Sequence, residues 1–420
     1  MNYLTTTPAL KARVKQRYSD FIVEEVYLED GVEKKCSVER FNTPFEKREQ
    51  SKNMIIPENN LNKDNLVLTL EKINTDTNRA ISQISRGTSS GRNRIGYAGL
   101  KDKRAITSQR ISIYRPDTNK IKNFGVKGLE LRNPSWGERI ELGDLLGNQF
   151  TITLRDIAET EENIKKIIQD FSKQIENGIP NFFGTQRFGG KRNVTHEVGK
   201  ALLKENFEEA VILYLTKTYA EEKEDIKNAR INLAKTFDFK TALKEFPIDC
   251  RQEKAMLNPL VKDSTNFLKA FSNLPLKTQY LFTHAYQSYL FNKIIEKRIS
   301  ILKENALKPI EGDNLEDGVP TANLIGYETK FSSGLMGEIE KEILAHEKID
   351  FSFFKIKSLS ELSSKGSRKQ IALFPKDFKL IKITDDEFNP GKKAVTISFF
   401  LSKGNYATTV LAELIKEEIY

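Results

Sequence analysis

The residues best suited to chemistry stand together in Gly99-Leu100-Lys101-Asp102-Lys103-Arg104-Ala105. One carboxylate, Asp102, sits among basic residues, and neighbouring positive charge favours the ionised form of an acid. An ionised carboxylate serves as a nucleophile or a base. Gly99 permits a sharp backbone turn that presents the next side chains to a cleft. The same heptapeptide also reads as a charged surface turn. A metal-dependent nuclease would need a cluster of carboxylates, and the sequence around Asp102 supplies none.

Other chemistries find little support. Cys36 and Cys250 are far apart and lack a CxxC context, and His196, His284 and His346 complete no zinc-ligand spacing. The site is therefore expected to need no metal. Two isolated cysteines imply no disulfide framework, which suits a reducing cytoplasm. The glycine-rich run from Gly87 to Arg94 lacks the Lys-Ser/Thr ending of a P-loop and precedes a strand. It reads as a basic loop able to touch a polyanion. No cofactor is expected.

The charge balance points the same way. The 420 residues carry 67 Lys and Arg against 58 Asp and Glu, a net of +9. That total also suits an ordinary soluble protein; its distribution is more telling. Residues 101–127 hold eight basic residues against two acidic ones, and residues 184–200 hold four against Glu197 alone. Each phosphate neutralised by such groups releases a counterion, so a nucleic acid is the expected partner. The N-terminus has no signal-peptide core, and no run approaches membrane-spanning length. A cytoplasmic, membrane-free protein is expected.

The elements that must position Asp102 follow from periodicity. Strands are predicted at residues 21–26, 66–70, 94–99 and 149–155, with a turn at Asp30-Gly31. A helix over 75–85 is capped by Thr75 or Asp76. Ile164, Ile167, Ile168, Phe171 and Ile175 predict a helix over 161–176. From about residue 190 the texture becomes helix-rich and charged. Residues 279–298 form the clearest helix, with Phe282, Tyr286, Leu290 and Ile294 on one core-facing stripe. Residues 220–230 read as a solvated face, and residues 303–365 give no clear pattern. A strand over 394–401, a turn at Lys403-Gly404-Asn405 and a helix over 406–415 return to the early texture. Two domains are expected, as the length suggests, with the chain ends sharing one of them.

Four segments, in order, resemble the TruD family of tRNA pseudouridine synthases. They are Lys15-Gln16-Arg17-Tyr18-Ser19-Asp20-Phe21-Ile22-Val23-Glu24-Glu25, the stretch from Tyr97 to Gln109 around Asp102, Gly147-Asn148-Gln149-Phe150, and the stretch from Gly178 to Gly189. A weaker echo follows at Ser402 to Thr409. Tyr18, Phe182 and Leu100 depart from the family pattern, and residues 200–365 match weakly. The resemblance implies an α+β pseudouridine-synthase fold, a mixed and largely antiparallel sheet with helices, carrying a large inserted α/β TRUD domain. It implies boundaries at 1–183 for the first part of the catalytic domain, 184–374 for the insertion and 375–420 for the C-terminal return.

The activity implied is isomerisation of uridine, usually uridine 13 of tRNA, through the single aspartate Asp102. Lys15, Asn148, Phe150 and Asn181 are expected to support the active site. Lys15 would pair with Asp102, its alternative being a phosphate contact. Phe150 would stack on the flipped uracil, its alternative being core packing. Lys101, Lys103, Arg104, Gln109, Gln186, Arg187, Lys191 and Arg192 are the expected RNA contacts. The partner is tRNA, with no obligate protein partner implied. A rival reading is a catalytically silent RNA-binding module; the intact Lys101-Asp102 pair argues against it.

Overall fold

A computed structural model of the chain describes residues 3–41, 54–59 and 62–419. The chain forms two compact units. Thr5–Asn177 with Phe374–Lys416 makes one, and Gly178–Leu373 makes up nearly all of the other.

The first unit is built on a nine-stranded sheet. Its strands are β1 (Phe21–Glu29), β2 (Val32–Lys35), β3 (Asn65–Ile73), β4 (Ile95–Tyr97), β5 (Ile106–Tyr114), β6 (Leu129–Gly137), β7 (Gly147–Ile157), Lys376–Asp385 and Lys393–Ser402. The order runs Lys376–Asp385, Lys393–Ser402, β7, β1, β5, β3, β6, with β2 paired to β1 and β4 to β5. Among the described residues, only the β1–β5 pair of this sheet is parallel. The mixed, largely antiparallel α+β fold implied by the sequence is the one found. The predicted strands are all present; four are longer than expected, while the one expected at 94–99 shrinks to Ile95–Tyr97, and β2, β5, β6 and Lys376–Asp385 were not anticipated.

Local signals explain the elements. Asp76 caps helix α1 (Thr77–Gly87) by accepting from Arg79 N at 2.9 Å. The turn after β1 places both Asp30 and Gly31 at positive φ. Gly147 is required for packing: a Cβ there would lie 2.1 Å from Leu401 O. Helices α2 (Thr118–Lys122) and α3 (Glu161–Ile175) follow their own caps, Asp117 and Thr160. All five apolar residues predicted for the α3 stripe are buried.

Alternation sets one sheet face. On β3, Leu66, Leu68 and Leu70 are buried, and Lys72 follows them on the same face. Their β5 partners are Ile113, Ile111, Gln109 and Thr107 in turn. Val23 pairs with Thr107 and Phe150, and Glu25 pairs with Asn148. A polar row therefore crosses an otherwise apolar face: Lys72, Thr107, Gln109, Glu25 and Asn148.

The second unit is mainly helical. Its longest helix, Leu276–Leu302, spans 27 residues and buries Phe282, Tyr286, Leu290 and Ile294 as the stripe predicts. The expected insertion is found, its helices accompanied by strands in short antiparallel pairings. The boundary also shifts. Ile179–Pro180 pairs with Ala372–Leu373, and Asn292 holds both backbone groups of Phe183. Residues 178–183 thus belong to the second unit rather than the first. The 220–230 run is not wholly solvated: Arg230 is buried between Glu222 and Glu253. Its periodicity did not reveal a partner from another helix.

Candidate active site

The 99–104 loop joins β4 to β5 and is fastened to the polar row beneath it. Gln109 Nε2 donates to Gly99 O at 3.0 Å. Lys101 N donates to Thr77 Oγ1 at 2.9 Å, and that hydroxyl donates to Gln109 Oε1 at 3.3 Å. Lys101 Nζ pairs with Glu25 Oε2 at 2.8 Å, while Glu25 Oε1 accepts from Arg110 N at 3.1 Å. Lys72 Nζ donates to Asp102 O at 2.7 Å and to Lys101 O at 3.4 Å. The loop is pinned through its backbone. Gly99 itself needs no positive φ, and a Cβ there would meet only Lys101 Nζ at 4.0 Å.

This anchoring leaves the Asp102 side chain 36% exposed, facing Lys15 Nζ at 2.9 Å. The Lys15 side chain is 11% exposed, and its ammonium lies 3.9 Å from the centroid of the Phe21 ring. The ring face attracts the cation and shields it from water. Lys15 has φ of 59°, a left-handed conformation that costs a non-glycine residue on the order of 1–3 kcal/mol. Contacts on both sides offset that cost. Arg13 and Arg155 exchange backbone hydrogen bonds at 2.7 and 2.9 Å, and Arg17 N donates to Asp20 Oδ2 at 2.7 Å. Asp20 is held in turn by Arg155, whose guanidinium also reaches Asp386 at 3.1 Å. Burial works against the Asp386 carboxylate, but Asn389, the amides of Asp156 and Phe388, and Arg155 hold it down at about 2.

The arrangement sorts the expected residues. Lys15 and Asp102 meet directly. Lys103 and Arg104 are exposed beside them. Asn148 stands opposite Glu25, and its Oδ1 is buried without a partner among the described residues. Three expectations are corrected. Lys101 and Gln109 are buried and committed to Glu25 and Gly99, so they are internal braces rather than phosphate contacts. Phe150 is 5% exposed, stacked on Phe399 at 5.5 Å and edge-on to Phe21 at 6.0 Å. A ring whose face is already covered by Phe399 is a core ring.

The remaining expected residues lie in the second unit. Asn181 is buried and donates from Nδ2 to Gln370 O at 3.1 Å. Arg187 donates to Ser288 Oγ at 2.9 Å and lies 5.4 Å from the Phe183 ring centroid. Gln186 and Lys191 are exposed, and Lys191 pairs with Glu221. Arg192 departs from its expected RNA role. Its guanidinium donates to the carbonyls of Tyr214 and Lys217 and packs on the Tyr214 ring, so it ties the segment to its own unit.

Lys72 was not anticipated. The only signal in the sequence is a lysine that continues a buried Leu alternation, two residues past Leu70. Among the described residues no cluster of three His, Cys, Asp or Glu side chains could hold a metal ion, and no helix is long and apolar enough to cross a membrane.

Comparison with known proteins converges on one family. A family model described as tRNA pseudouridine synthase D (TruD) matches residues 1–318 and 314–414. A Methanosarcina acetivorans protein named "Probable tRNA pseudouridine synthase D" is 36% identical over 451 residues, covering 99% of this chain and 95% of the relative. A Methanococcus vannielii protein of the same name is 36% identical over 416 residues, covering 98% and 97%. The crystal structure of a Methanosarcina mazei protein, presented as tRNA pseudouridine synthase D (TruD), superposes with a TM-score of 0.78 at 35% identity, covering 100% and 96%. With matches over nearly its whole length, this chain belongs to the TruD family of tRNA pseudouridine synthases, isomerases that convert uridine to pseudouridine in tRNA.

Proposed function

We propose that this chain isomerises uridine 13 of tRNA with Asp102 as its single catalytic residue. It works in the cytoplasm without a metal, cofactor or obligate protein partner. The observation that carries the reading is the Lys15–Asp102 pair at 2.9 Å on an otherwise pinned loop. The reaction breaks the C–N glycosidic bond, turns the uracil and forms a C–C bond, so nothing enters or leaves. A carboxylate held at fixed depth can act on the sugar or the pyrimidine as nucleophile or base. The target uridine must leave its helix to reach it. Lys15 positions the carboxylate, and Asn148 supports the same face. Lys103 and Arg104, with Gln186, Arg187 and Lys191 in the second unit, contact the RNA.

Mapping pseudouridine in total tRNA incubated with the purified chain tests the reading. A new pseudouridine at position 13 is expected. Modification at another uridine would overturn the position. Binding without any modification would favour the silent RNA-binding module.

A further inference from the structure

Lys72 is a buried lysine whose contacts serve only the backbone of the loop that carries Asp102. Its ammonium donates to Asp102 O at 2.7 Å and Lys101 O at 3.4 Å, and its side chain is fully buried. No carboxylate lies within ion-pairing distance of it among the described residues. Its charged neighbours are Asp102 and Asp76, which favour the ammonium, and Lys101, which opposes it; burial opposes it more strongly than any of them. A buried cation without a carboxylate is costly, and an apolar residue would continue the β3 face of Leu66, Leu68 and Leu70 at lower cost. The residue is therefore explained by what it touches.

We infer that Lys72 is a positioning residue that fixes the peptide carbonyls of Lys101 and Asp102, and so the placement of the Asp102 carboxylate. The two ends of that carboxylate's support are then separate. Lys15 meets the side chain at its tip, from its place over the Phe21 ring, and Lys72 holds the main chain from inside the sheet. Neither group replaces the other, because a carboxylate steered at its tip still swings if its own peptide moves. A shift of about 1 Å at a reacting group costs roughly a hundredfold in rate. The inference rests on the reading of Asp102 as the catalytic residue.

The test uses the full chain with Lys72→Met, which keeps the stem and removes the donors. The single-turnover rate on tRNA should fall by about tenfold or more, with the half-saturating concentration changed by less than about twofold. Amide exchange should rise at residues 101–105 while Leu66, Leu68 and Leu70 stay protected. Lys72→Gln, shorter but still an N–H donor, should lose less rate than Lys72→Met, and it carries both measurements if the Met variant does not fold. A Lys72→Met rate within about twofold of wild type, or a loss confined to half-saturation, overturns the inference. So does unchanged exchange in the loop. If the wild-type chain forms no pseudouridine, the uridine reading fails, and the exchange comparison still decides whether Lys72 holds the loop.

Discussion

Lys101 Nζ lies 2.8 Å from Glu25 Oε2, and both side chains are buried in the sheet of the first unit. A residue one position from Asp102 thus faces inward, while Lys103 on the other side faces out. The pair ties the loop that carries Asp102 to β1, the strand that begins beside the Lys15 turn. Arg110 Nε, 3.7 Å from the same carboxylate, is a weaker second partner.

Removing one member of this pair should act on the fold before it acts on RNA. Lys101→Met leaves the Glu25 carboxylate buried with only Arg110 nearby, which should cost about 3 kcal/mol or more of stability. Urea denaturation measures the loss, and the salt dependence of tRNA binding should keep its slope. Normal stability with a shallower slope would make Lys101 a phosphate contact after all.

Asp102→Asn should abolish turnover while the protein melts and binds tRNA almost as wild type does. The side chain is partly exposed, its backbone is held independently, and the Asn amide oxygen still accepts from Lys15 Nζ. A variant retaining activity within about tenfold of wild type, roughly 1.4 kcal/mol of barrier, would remove Asp102 from the chemistry.

Phe150→Leu separates the core ring from a base-stacking one. The ring fills space between Phe21 and Phe399, and Leu leaves part of that volume empty. Stability should fall by on the order of 1–3 kcal/mol, with normal specific activity in the folded fraction. Unchanged melting with a loss of turnover would put the ring against the uracil instead.

The exposed cations are separable from the half-buried Arg192 by salt titration. Changing Lys103 and Arg104 together to Ala should weaken tRNA binding and flatten the slope of log K against log salt, by roughly 0.7–0.9 per lost phosphate contact. Lys191→Ala should act in the same direction. Arg192→Ala should instead lower the melting temperature, because its guanidinium holds the Tyr214 and Lys217 carbonyls. A variant of Lys103 and Arg104 with an unchanged slope would take this loop out of the RNA interface.

Burial, with a smaller contribution from Lys101, lowers the Lys72 ammonium from 10.5 to about 8, against the opposing pull of Asp102 and Asp76. Between those values the unfolded chain holds a proton that the folded chain has released, so folding grows more favourable as pH rises. Wild type should therefore gain stability relative to Lys72→Met, by up to about 3 kcal/mol across the window. Paired urea melts at about pH 7.5 and about pH 9.5 measure this difference. A difference that stays constant would mean that Lys72 keeps its charge throughout.

What the sequence determined by itself is local. Local pattern located five of the nine strands described in the large sheet, 3.6-residue spacing located α3 and the long helix, and cap chemistry narrowed the start of α1 to Thr75 or Asp76, of which the structure uses Asp76. The motif around Asp102 was legible because its residues are contiguous. The tertiary structure alone decided which of those contiguous residues face inward. Lys101 turns toward Glu25, 76 positions away, and Lys72 reaches Asp102 O across 30 positions. The Phe150 ring is covered by Phe399, which arrives on a strand from the far end of the chain. The boundary near residue 178 rests likewise on pairing with residues 372–373. Burial, ion pairing and sheet register join groups distant along the chain, and no local periodicity encodes them.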